Sequence, residues 1–97
     1  MEKFALLASL KAKPGKEQVV EEFLKSALPL AQQEPGTIRW YAFQTGPGTF
    51  GIFYTFEDEA GREAHLTGEI AKALMANADT LLALPPTIEK LTLLAVK

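Results

Sequence analysis

FGIFYTFEDEAGREAHL, Phe50 to Leu66, is the stretch whose reading decides the fold. Its first half, Phe50-Gly51-Ile52-Phe53-Tyr54-Thr55-Phe56, combines the aromatic and β-branched side chains that strands favour. Phe50, Ile52, Tyr54 and Phe56 fall on one alternating face, and Gly51, Phe53 and Thr55 on the other. A strand that is apolar on both faces belongs inside a sheet covered on both sides. The period then changes. Asp58 is a helix cap, Ala60, Gly61, Ala64 and His65 share one helical face, and Glu59, Arg62 and Glu63 are expected to face water. The single histidine of the chain is therefore expected to look at the sheet, in a small cleft formed by strand, turn and helix.

Upstream, Gly46-Pro47-Gly48 carries the turn chemistry of a hairpin into a preceding strand, Thr37 to Gln44. In that strand Ile38, Trp40 and Ala42 share one face, while Arg39, Tyr41 and Phe43 share the other. Pairing Gln44 with Phe50 puts Trp40 opposite Tyr54, on the same face as Phe56; a one-residue slip would turn it over. Further back, Phe4 to Ala12 alternates as a first strand, and Pro14-Gly15 ends it. From Lys16 the spacing of Val19, Val20, Phe23, Leu24, Ala27, Leu28 and Ala31 is helical. Pro29 predicts a kink or an early end, and Pro35-Gly36 stops the element. Downstream, Thr67-Gly68 interrupts. A second helix then carries Ile70, Leu74, Ala78 and Leu81 to Pro85-Pro86, and Ile88 to Val96 reads as the last strand.

The order is β-α-β-β-α-β, which predicts an α+β fold of ferredoxin-like type over residues 1–97 as one domain. Its four-stranded antiparallel sheet has the helical segments on one face. Helices cover only that face, yet both faces of the strands carry apolar groups. A second copy of the chain would cover the other face, so a homodimer with sheet packed on sheet is expected.

Composition narrows the function. Ten Lys and Arg against twelve Asp and Glu give a net charge of −2, with no basic stripe, which speaks against nucleic acid. Without cysteine there is no thiolate nucleophile and no disulfide, and one histidine without inward carboxylates is too few ligands for a metal. The apolar run at Phe4–Leu10 is short and followed by lysines, and nothing approaches the roughly 20 apolar residues of a membrane span. A cytoplasmic protein is expected, with no membrane partner.

Lys13-Pro14-Gly15-Lys16, Glu34-Pro35-Gly36 and Glu63-Ala64-His65-Leu66, in that order, resemble the antibiotic biosynthesis monooxygenase (ABM) domain family of the dimeric α/β-barrel superfamily. The resemblance implies a dimer with a pocket between helices and sheet in each protomer. It also implies relatives that oxidise phenolic or quinol-type polycyclic molecules without a cofactor, and others that degrade haem. Tyr54-Thr55-Phe56 stands where members usually carry Glu-x-Trp, and Ala8 where the haem-degrading branch has Asn. Of that branch's Asn, Trp and His, only His65 is kept, which points away from haem.

Oxygenation without metal or flavin needs an electron-rich substrate, a base to take its proton, and a dry pocket. His65 is the candidate base; Trp40, Tyr54 and Phe56 are candidate residues for binding an aromatic substrate. The competing reading makes His65 a hydrogen-bonded core group and the aromatic residues packing. The protein is then a non-catalytic dimeric module for a small hydrophobic molecule, or an orphan domain of the same fold. Glu57-Asp58-Glu59 reads as a solvated helix start.

Overall fold

The structure, a computed structural model, describes residues 2–97. Strand β3 (Thr49–Phe56) lies inside the sheet, as its two apolar faces require. It pairs on one side with β2 (Thr37–Gly46) and on the other with β1 (Phe4–Lys11), and β4 (Thr87–Thr92) forms the far edge. All three pairings are antiparallel, in the order β2-β3-β1-β4 of a ferredoxin-like α+β domain. Pro47 and Gly48, with φ of 77° at Gly48, make the hairpin turn, and the short loop fixes the register: Gln44 faces Phe50 and Trp40 faces Tyr54.

Helices α1 (Glu17–Ser26) and α2 (Leu28–Gln32) connect β1 to β2, and α3 (Glu59–Leu66) and α4 (Glu69–Leu81) connect β3 to β4. Pro29 acts as its chemistry dictates. The chain breaks at Ala27, and Pro29 sits in the first turn of α2, where its missing N–H has no intrahelical partner to lose. The core between sheet and helices contains Leu6, Ile52, Tyr54 and Phe56 from the strands, with Val20, Leu24 and Leu74 from the helices. Phe56, Leu6, Ile52 and Val20 are the largest fully buried side chains, each contributing on the order of 1.5–3 kcal/mol of transfer free energy.

Three strands end elsewhere than the sequence predicts. The first strand ends at Lys11, and Ala12 makes only an isolated bridge to Leu82. The second strand runs on to Gly46. The last strand ends at Thr92 rather than Val96, because Thr92 already faces Phe4, the first residue of its partner. Beyond it, Leu93 N–H donates to Lys3 O at 2.7 Å, and Leu93, Ala95 and Val96 line a groove with Tyr41 and Phe53.

Arg62 is the clearest departure. Expected outside, it is buried: its guanidinium lies 5.1 Å from the centre of the Phe4 ring, and Nη1 donates to Leu91 O at 3.2 Å. Among the described residues no helix is long and apolar enough to cross a membrane. On the sheet face away from the helices, Leu7, Phe53 and Tyr41 stand in one cross-strand row, with Phe43 beside them. Arg39 Nε lies 3.3 Å from the Glu2 carboxylate, which also accepts from the Thr55 hydroxyl.

Candidate functional site

The site is built from two backbone corners that meet. One is Gln33–Gly36, where α2 ends and the chain turns into β2; the turn closes with Thr37 N–H donating to Glu34 O at 3.3 Å. The other is α3 and the bend after it. Asp58 caps α3 by accepting from Gly61 N–H at 2.7 Å, the role its sequence position predicts. The corners touch at Gly36 and Gly61, where a Cβ on Gly36 would lie only 2.9 Å from Gly61 Cα. Glycine at position 36 is therefore a condition of the fit.

That contact carries Glu34 to the end of α3. His65, 3% exposed in its last turn, has Nδ1 2.7 Å from Glu34 Oε1, and Thr37 Oγ1 donates to the same oxygen at 3.0 Å. An ionised carboxylate has no proton to give, so Nδ1 carries the hydrogen and donates it. Nε2 is left as the basic nitrogen of the ring. The other carboxylate oxygen lies against Gly68, where a Cβ would come within 3.1 Å of Glu34 Oε2. Behind the imidazole are the Tyr54 ring, with centroids 4.3 Å apart, and the Phe56 ring at 5.6 Å. Burial, and secondly the negative charge of Glu34, push the Tyr54 hydroxyl up to about 12, so it stays protonated at neutral pH.

A cavity of about 580 Å³ opens between the two corners. Its walls include Leu30, Pro35, Ala60 and Ala64, with Gly36, Gly61 and Gly68 providing room, and His65, Glu34 and Glu69 are its ionisable groups. The volume falls within the range of small-molecule sites.

Of the residues singled out in the sequence, His65 lines this cavity. Tyr54 and Phe56 are core residues that meet it only through the His65 ring. Trp40 is half-buried over Ala27, Ala31 and Ile70, and its indole Nε1 is buried with no hydrogen-bond partner among the described residues. The space between helices and sheet is thus filled by Tyr54, Phe56 and Leu74, and the open volume lies beside it at the corner. Glu34 is the residue of the candidate site that sequence reasoning did not single out. Its one local signal is a carboxylate placed just before a rigid Pro-Gly turn. Among the described residues no group of three or more His, Cys, Asp or Glu could hold a metal ion.

The model of the family described as antibiotic biosynthesis monooxygenase matches residues 3–77. A protein of unknown function from Nitrosomonas europaea has a solved structure 61% identical to the chain, covering 100% of it and 94% of its own length with a TM-score of 0.97. A Pseudomonas aeruginosa protein is 23% identical, covering 98% and 97%, with a TM-score of 0.83. A structure described as an antibiotic biosynthesis monooxygenase is 21% identical, covering 97% and 99%, with a TM-score of 0.77. The last two establish the shared fold. No curated protein matches the chain.

Proposed function

The chain belongs to the antibiotic biosynthesis monooxygenase family, and from that membership and the corner site we propose that it is a cofactor-independent monooxygenase of hydroxylated, quinol-type aromatic molecules. The observation that carries the reading is the Glu34–His65 pair, 2.7 Å apart on the wall of a cavity of about 580 Å³. It supplies a buried imidazole with a fixed tautomer and an anionic partner for the imidazolium that forms on protonation.

The chemistry needs dioxygen as co-reactant. His65 Nε2 removes the proton of a substrate hydroxyl, and the resulting aryloxide, whose charge is shared with a ring carbon that bears hydrogen, reduces dioxygen and forms a C–O bond to it at that carbon. The imidazolium returns the proton to give a hydroperoxide. Removal of the remaining C–H proton then breaks the O–O bond, leaving a carbonyl and releasing water. Glu34 stabilises the imidazolium between the two transfers, and the low exposure of His65 keeps bulk water from competing for the proton. Tyr54 and Phe56 hold the ring from behind, and Trp40 extends the same aromatic row across the hairpin. Oxygen-electrode assays on a panel of quinols and anthrones test this: uptake that saturates with one of them supports it, and none above buffer across the panel rejects it.

A second reading, a binding module without chemistry, is favoured by the filling of the helix–sheet interior by Tyr54, Phe56 and Leu74. In either case the partner proposed for the sheet face away from the helices is a second copy of the chain. The Leu7–Phe53–Tyr41 row is apolar, and Tyr41 and Phe43 are exposed in the single chain.

A further inference from the structure

The charges on the cavity wall are of one sign. Glu34 and Glu69 contribute carboxylates, and among the described residues neither Lys nor Arg lines it. One feature opposes them: Gly68 and Glu69 begin α4, whose N-terminus has no side-chain cap, and a helix N-terminus attracts anions with roughly half a unit charge. That half charge is already answered. Glu69 is the first residue of α4, and the Glu34 carboxylate is seated against Gly68, so two full negative charges stand where one partial positive charge points. Both hydrogen bonds to the Glu34 carboxylate, from His65 and Thr37, are donated by groups that are neutral when His65 acts as a base, and leave its charge in place.

We propose that the cavity selects its ligand by charge, taking flat hydroxylated aromatic molecules that are uncharged or cationic and refusing carboxylated ones. The inference rests on the corner cavity being the ligand site, and gives the substrate class of the proposed oxygenase. The hydroxyl of such a ligand donates to the basic ring nitrogen of His65, which a carboxylate cannot do. A carboxylate also brings a third negative charge beside those of Glu34 and Glu69.

Three probes on one skeleton test this by calorimetry at neutral pH: 2-naphthol, 2-naphthoate and 2-(aminomethyl)naphthalene. The naphthol and the amine are expected to bind, and the naphthoate about tenfold more weakly or worse. Glu34→Gln, which keeps shape and removes charge, should narrow that gap. Glu69→Gln should narrow it as well, and stands in for the first variant if that one fails to fold. Ala64→Leu, which fills the cavity, should abolish naphthol binding. Naphthoate binding as tightly as naphthol overturns the proposal, as does the absence of binding by all three probes, or naphthol affinity unchanged in Ala64→Leu. Because binding is read without turnover, charge discrimination in a protein that never consumes oxygen keeps this inference and removes the oxygenase reading. Oxygen uptake without discrimination does the reverse.

Discussion

Replacing Gly36 by alanine puts one methyl group between the two corners that form the site. Its carbon would lie 2.9 Å from Gly61 Cα and 3.7 Å from the carbonyl carbon and oxygen of the same residue. Carbon pairs rest at about 3.5–4.0 Å, so the chains must part by roughly 0.6–1 Å, and both sides of the contact are backbone, which cannot rotate away. Overpacking of this kind costs about 1–3 kcal/mol. Against it, alanine lowers the entropy of the unfolded chain, which is worth about 0.4–1 kcal/mol. The net expectation is a destabilisation of about 1–2 kcal/mol, a fall in melting temperature on the order of 5–15 °C for a domain of this size. Separation of the corners also draws Glu34 away from His65. Urea and thermal unfolding at one fixed protein concentration measure the effect, with the concentration held because association would shift the midpoint. A Gly36→Ala protein that melts at or above the wild-type temperature would refute the close-contact argument and the cavity geometry built on it.

Tyr54, whose hydroxyl is raised from its ordinary 10 to about 12, makes stability fall with alkali. The unfolded chain loses the phenol proton first, so the contribution is whole below pH 10 and is lost by about pH 12, to the extent of about 2–3 kcal/mol. Tyr54→Phe should flatten that part of the profile; an unchanged alkaline slope contradicts the assignment. Phe53→Asp, in the middle of the Leu7–Phe53–Tyr41 row, should turn a homodimer into monomer or aggregate by burying an unpaired charge. A soluble, folded dimer of that variant in sedimentation would remove the sheet face as the interface. Purified protein titrated with haem should show no tight binding, since buried Ala8 stands where the haem-degrading branch has its Asn; a sharp Soret shift would reverse that expectation.

Local pattern carried most of the fold. The Asp58 cap and the Trp40–Tyr54 register follow from chemistry within a few residues, and the structure keeps both. The end of β4 was not legible, because Leu93 to Val96 continue the apolar character and only the start of β1 across the sheet stops them. The charge of Arg62 and its helical spacing point it outward. Its stem and guanidinium instead cover Phe4, a contact between residues 58 positions apart that no helical period reveals. The site divided in the same way. His65 was identifiable as an inward imidazole, whereas its partner Glu34 lies 31 residues away, brought there by the Gly36–Gly61 contact. The cavity likewise owes its place to three glycines and two alanines, which a sequence shows only as small residues.

His65 decides whether the corner site does chemistry, and the direct test is oxygen consumption and melting temperature measured on the same preparations of wild type and His65→Ala. The rate of quinol-dependent oxygen uptake should fall by about 10²–10⁴-fold. Loss of the hydrogen bond to Glu34 should lower stability by about 1–3 kcal/mol at the same time. A variant that melts lower but consumes oxygen at the wild-type rate would leave His65 a packing residue and contradict the proposed function.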